Sequence, residues 1–143
     1  MWFNPIITQL LRSPLHGMLS KNTMLIAYTG RKTGKSFITP VNYLRMDEDG
    51  AEVLYTTSYR ERVWWRSVRG GAPVTLTLRG KDVPAQASVV EDEHEVTELL
   101  VRYVRQAPAL ARYFKINLDA SGAPDLTDAA EAAVRLVIIK SFL

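Results

Sequence analysis

The 143-residue chain is 47% hydrophobic, enough for one packed core at a common domain size, and residues 1–143 are expected to form a single domain. It has no cysteine, which excludes disulfides, thiolate metal sites and a thiol nucleophile, and its 2 histidines, His16 and His94, are too far apart in sequence to suggest a metal site. The net charge of +3 conceals a clustered field, because Arg31, Lys32, Lys35, Arg45, Arg60, Arg62, Arg66, Arg69, Arg79 and Lys81 all fall in the middle of the chain, which points to an anionic ligand.

From the N-terminus, residues 4–19 place Ile6, Ile7, Leu10, Leu11, Leu15 and Leu19 near one face of a helix that Pro14 should break or kink. So apolar a face is expected to lie as a lid over one end of the core. The start lacks the basic residues and long apolar run of a secretion signal, and the chain is expected to be cytoplasmic. Residues 23–29 and 37–46 are β-rich and flank the turn Thr29-Gly30-Arg31-Lys32-Thr33-Gly34-Lys35, so they are expected to form a hairpin. Asp47 to Gly50 turns into a strand over 51–57, and a short helix over 61–69 should end at Gly70-Gly71.

Residues 74–79 and 83–90 alternate apolar with polar around Gly80-Lys81-Asp82, another antiparallel hairpin. Residues 93–105 read as a helix with Val96, Leu99, Leu100 and Tyr103 on one stripe, and Pro108 opens a second short helix toward Phe114. The Gly-, Pro- and Asp-rich stretch 120–128 reads as a loop, and 134–142 as a strand apolar on both sides until Lys140. Short strands with helices inserted between hairpins predict a mainly β, α+β architecture: a split antiparallel β-barrel with peripheral helices. A dinucleotide-binding βαβ fold is excluded, because the basic glycine turn leads into a strand and not a helix.

Two clusters carry candidate chemistry. In the turn, Arg31, Lys32 and Lys35 stand beside glycines that let main-chain amides approach an anion, although a basic turn also serves simply to blunt a sheet edge. The second cluster, Ser58-Tyr59-Arg60-Glu61-Arg62-Val63-Trp64-Trp65-Arg66, sets two tryptophans among arginines, which suits a planar ring with anionic substituents. Neighbouring tryptophans on a helix point apart, so one is expected to pack the core and the other to wall a pocket.

Together with Pro40-Val41-Asn42-Tyr43 and the stretch from Val63 to Val74, these motifs resemble the deazaflavin-dependent nitroreductase family, a branch of the flavin/deazaflavin oxidoreductases. The resemblance runs from about Asn4 to the last strand. It implies a split β-barrel of the flavin-reductase and pyridoxamine-phosphate-oxidase type that binds coenzyme F420, with the phosphate and glutamate tail along the basic turn and the deazaflavin ring in the barrel groove. By the same resemblance Arg31 and Lys32 hold the tail with Lys35 nearby, Pro40 and Val41 offer backbone beside the ring, and Trp64, with Trp65 next to it, walls the pocket. Ser58 is implied near the reacting ring, and Tyr103 on the acceptor side.

This chain departs from the family pattern at Phe37, where a basic residue is common, and at Ser58-Tyr59-Arg60-Glu61, which replaces a Ser-Lys-Gly-Gly loop. Arg60 or Arg62 is expected to supply the missing charge. Of the tyrosines that nitro-reducing members carry after the first C-terminal helix, only Tyr103 is kept, with Gln106 and Ala109 at the other positions and Tyr113 further on. The expected reaction is hydride transfer from the reduced cofactor to a quinone, a nitro compound or an activated double bond. FMN in the same groove is the alternative cofactor, and a carrier of fatty acid, haem or another amphipathic molecule the alternative function. The partner is expected to be a small-molecule acceptor and not nucleic acid, for no recognition helix or RNA-binding motif is present. Weak membrane association and a monomer or homodimer stay open.

Overall fold

The computed structural model describes residues 23–30, 32 and 34–143. The expected N-terminal lid helix lies outside them, as do His16 and Arg31. The chain falls into two compact units. One takes the chain up to Thr57, Val63–Val89 and Ile139–Leu143, and the other takes Ser58–Arg62 and Val90–Ile138.

The first unit contains most of a seven-stranded sheet: β1 (Thr23–Thr29), β2 (Ser36–Asn42), β3 (Leu44–Glu48), β4 (Ala51–Tyr59), β5 (Ala72–Leu78), β6 (Lys81–Val90) and β7 (Leu136–Phe142), in the order β2-β1-β5-β6-β7-β4-β3. The pairs β1/β2, β1/β5, β3/β4 and β5/β6 are antiparallel. The edge strands β2 and β3 are consecutive in the chain and separated by Tyr43 alone. A flat sheet would put seven strands' edges roughly 29 Å apart, whereas Asn42 and Leu44 are joined by two Cα steps of about 3.8 Å. The sheet must therefore curl until its edges meet, which is the split-barrel arrangement. Where they meet, Thr56 Oγ1 on β4 donates to the Asn42 carbonyl at 2.9 Å, and Tyr43 is buried. The single strand expected over 37–46 is thus two strands, broken where the sheet turns back on itself.

Two tight turns set the register. Asp49 and Gly50 between β3 and β4, and Arg79 and Gly80 between β5 and β6, all have positive φ. Such pairs make the two-residue hairpin turns whose twist matches that of the strands. The core of this unit holds Ile26, Val53, Leu54, Leu76 and Ile139, all fully buried; each such side chain contributes roughly 1.5–3 kcal/mol by leaving water. Lys140 on β7 reaches both oxygens of Glu48 at 2.9 and 3.1 Å. Glu48 also accepts from the buried Tyr55 hydroxyl. The helix expected over 61–69 is a 3-10 helix, Trp64–Val68.

The second unit is organised by α1 (Glu93–Gln106) and α2 (Leu126–Arg135). Asp92 caps α1 by accepting from Glu95 N at 3.0 Å, and it buries Val96, Leu99, Leu100, Tyr103 and Val104. A 3-10 turn, Pro108–Leu110, follows. The stretch 120–128, expected as a loop, includes the start of α2, capped by Asp125 accepting from Asp128 N at 2.9 Å. This helix buries only Ala129, Ala132 and Ala133. Small side chains let α1 and α2 approach closely. No helix among the described residues is long and apolar enough to cross a membrane.

Candidate functional site

The first unit carries the basic turn, the aromatic cluster and the edge strand. At the turn, Gly30 N donates to Lys35 O at 2.8 Å and Gly34 N to Gly30 O at 2.9 Å, so the tip folds on its own main chain. Gly34 has φ +69°, and a Cβ there would meet nothing within 4 Å. The tip is therefore open to a ligand, with Lys32 and Lys35 exposed on it. Beside it lies a cavity of about 320 Å³ whose walls include the hydroxyl-bearing Thr29, Ser36 and Thr75. Ammonium and hydroxyl donors around an open turn suit an anion.

Phe37 pairs with Tyr28 across the β1/β2 hairpin, and their rings stack at 5.7 Å and 24°. Tyr28 in turn meets Trp64 at 5.7 Å with the rings tilted by 42°. Successive residues of a 3-10 helix point about 120° apart, which separates the two tryptophans. Trp65 turns inward at 3% exposure, with the guanidiniums of Arg66 and Arg69 at 5.6 and 5.3 Å from its ring. Trp65 is the core anchor and has almost no surface left for a ligand. Trp64 is half-buried. Pro40 and Val41 stand on the edge strand β2, opposite Leu25 and Met24. An edge strand leaves one row of main-chain donors and acceptors outside the ladder.

The other expected residues belong to the second unit. Ser58 is buried, and its hydroxyl donates to the Tyr59 carbonyl at 3.4 Å. Arg60, expected to meet the cofactor's charge, spends its donors on main chain. Its Nε and Nη2 reach the Ala133 carbonyl at 3.1 and 2.9 Å, and Nη2 also reaches Glu91 O at 2.6 Å. Tyr103 is fully buried, with its ring edge-on to Phe114 at 5.4 Å, and its hydroxyl has no hydrogen-bond partner among the described residues. Burial, with a smaller contribution from Tyr113, pushes its pKa up to about 12. A depression of about 670 Å³ in this unit, around Arg112, Lys115 and Asn117, is lined by Ala109 but by neither Ser58 nor Tyr103. Among the described residues no cluster of His, Asp and Glu could hold a metal ion.

Sequence reasoning missed Tyr28. The available signal was an aromatic residue next to the turn whose hairpin partner is also aromatic.

A family model described as F420H(2)-dependent quinone reductase matches residues 11–117. The chain belongs to the F420H(2)-dependent quinone reductase family. It is accordingly an F420-dependent oxidoreductase, with coenzyme F420 as its cofactor. No curated protein sequence matches it significantly. Among solved structures, one described as a domain-swapped dimer is 21% identical, covering 95% of this chain and 91% of that one at a TM-score of 0.49. Another, an F420-H2 dependent reductase (FDR-A), is 20% identical, covering 84% and 94% at a TM-score of 0.45. The residues present fit the cofactor: an open cationic turn suits its anionic tail, and a half-buried indole with edge-strand main chain suits its flat ring.

Proposed function

We propose that this reductase passes its hydride to a quinone and binds F420 through the first unit. Lys32 and Lys35, with Arg31 beside them in sequence, hold the phosphate and glutamate tail. Trp64 and the main chain of Pro40 and Val41 hold the ring. The observation that carries this reading is the open basic turn directly joined to the strand pair that bears the Tyr28–Phe37 stack and ends on the Trp64 contact.

When bound, the reduced cofactor supplies the hydride, and the protein supplies position, electrostatics and exclusion of water. The lysines act by charge on the part of the ligand that does not react, so they contribute to binding and leave the hydride-transfer barrier nearly unchanged. Trp64 presents an apolar face that keeps water off one side of a flat ring. Reducing a quinone takes one hydride and one proton at its oxygens. The net proton comes from water; the Ser58 hydroxyl, which the family resemblance implies near the reacting ring, is engaged with the Tyr59 carbonyl in the second unit. Tyr103, enclosed by Phe114 and neutral at ordinary pH, packs the second unit and does not take part.

A quinone is favoured over a nitro compound by the family description and by the retention of a single acceptor-side tyrosine, which is buried. Steady-state oxidation of F420H2 with a soluble naphthoquinone and with a nitroimidazole tests this. The quinone is expected to give the higher kcat/KM by at least about tenfold, roughly 1.4 kcal/mol of transition-state discrimination. Equal or reversed values would refute the quinone assignment while leaving F420 binding intact.

A further inference from the structure

We propose that Tyr28 is the positioning residue of the cofactor site, fixing the pitch of the Trp64 indole against the deazaflavin ring. This rests on the reading that Trp64 flanks that ring. Trp64 opens a 3-10 helix of 5 residues, and the residue before it, Val63, forms no side-chain cap. Its neighbour Trp65 is locked in the core between two arginine contacts. Across from it on β1, Tyr28 meets the Trp64 indole at 5.7 Å with the rings tilted by 42°.

Tyr28 is itself braced. Phe37 lies against it as its direct cross-strand partner. Its hydroxyl stands 3.5 Å from Thr39 Oγ1 on the same strand as Phe37. Aromatic cross-strand pairs stabilise a hairpin locally, so the ring that Trp64 meets is braced within the β1/β2 pair. That strand pair ends at the lysine turn. Tyr28 thereby couples the orientation of the ring wall to the strand pair that presents the tail-binding charges.

The test has two arms. In the first, without cofactor, near-UV circular dichroism is recorded in a Trp2→Phe background, and the Trp64 contribution is defined by difference from Trp64→Phe. Tyr28→Phe, which keeps the ring, should preserve that contribution; Tyr28→Leu, which keeps bulk, should reduce it. An unchanged Trp64 signal in Tyr28→Leu overturns the proposal. In the second, F420 dissociation constants are measured for Tyr28→Leu, Trp64→Leu and the double variant. An aromatic contact is worth about 0.5–1.5 kcal/mol, so each single variant should weaken binding up to about tenfold, and the double no more than the stronger single. Multiplicative losses overturn the coupling. If Trp64→Leu alone leaves the dissociation constant unchanged, the placement of Trp64 at the cofactor fails, and the first arm still decides whether Tyr28 fixes the indole.

Discussion

Arg60 donates from Nε and Nη2 to the carbonyl of Ala133, at 3.1 and 2.9 Å, in the last turn of α2. The same residue's main-chain N–H donates to Arg135 O at 2.9 Å. A cation that satisfies the carbonyls at a helix C-terminus also meets the negative end of its dipole. Arg60 is thus a cap for α2, reached across 73 residues of sequence. Charge-assisted bonds of this kind contribute about 1.5–3 kcal/mol. Arg60→Ala is expected to lower stability by that amount in denaturant unfolding and to leave F420 affinity within about twofold. A large loss of affinity with stability unchanged would return Arg60 to the cofactor.

Tyr103 sets an alkaline limit on stability. Its folded pKa, about 12, lies above the 10.0 of a free tyrosine, because burial disfavours the phenolate. The folded state therefore holds the proton more tightly than the unfolded state. The resulting stability is fully present below pH 10, the unfolded value, and is lost as the pH rises from there toward 12. Each pKa unit is worth about 1.4 kcal/mol, so the full loss is on the order of 3 kcal/mol. Tyr103→Phe should remove this alkaline decline. At neutral pH it should be neutral or slightly stabilising, since a buried hydroxyl without a partner is removed. Urea unfolding of both proteins across this pH range checks the prediction, and identical alkaline slopes would sink it.

Lys140 follows the apolar run 136–139 of β7 and pairs with Glu48, whose carboxylate also serves Tyr55. Removing one partner of a largely buried pair leaves the other charge unmatched. Lys140→Met is expected to cost about 1–3 kcal/mol. Adding Glu48→Gln should recover part of that loss, because the amide still accepts from Tyr55 without carrying an unpaired charge. A double variant no more stable than Lys140→Met alone would contradict this.

The strands and α1 were legible because alternation and capping signals are local: residues 23–29, 51–57 and 74–90 alternate or run apolar between turn residues, and α1 has Asp92 with acids in its first turn. The helix α2 was hidden by its own composition. Alanines make no strong apolar stripe, and Gly122, Pro124 and Asp125 just before it read as loop. The break at Tyr43 was not legible, since it follows from edge strands meeting in a curled sheet and not from any residue's preference. The basic turn and the tryptophan pair stood out by residue type, but which tryptophan turns inward depends on the 3-10 geometry, and the tasks of Tyr28 and Arg60 depend on contacts remote in sequence.

The basic turn should act by charge. Raising salt tenfold should weaken F420 binding in the wild type, because exposed charges are screened over about 10 Å at 0.1 M. The same change should have little effect on a ligand that carries the deazaflavin ring without its phosphate and glutamates. Equal salt sensitivity of the two ligands would show that the tail is not held by charge.

The most direct test of the account is a titration with F420 followed by tryptophan quenching, on wild type and on Arg31→Ala/Lys32→Ala, with thermal unfolding run alongside to confirm the fold. The account predicts micromolar or tighter binding with quenching in the wild type, and a loss of about 2–3 kcal/mol, some thirtyfold to more than a hundredfold, in the variant. Equal affinity for the two folded proteins would contradict it.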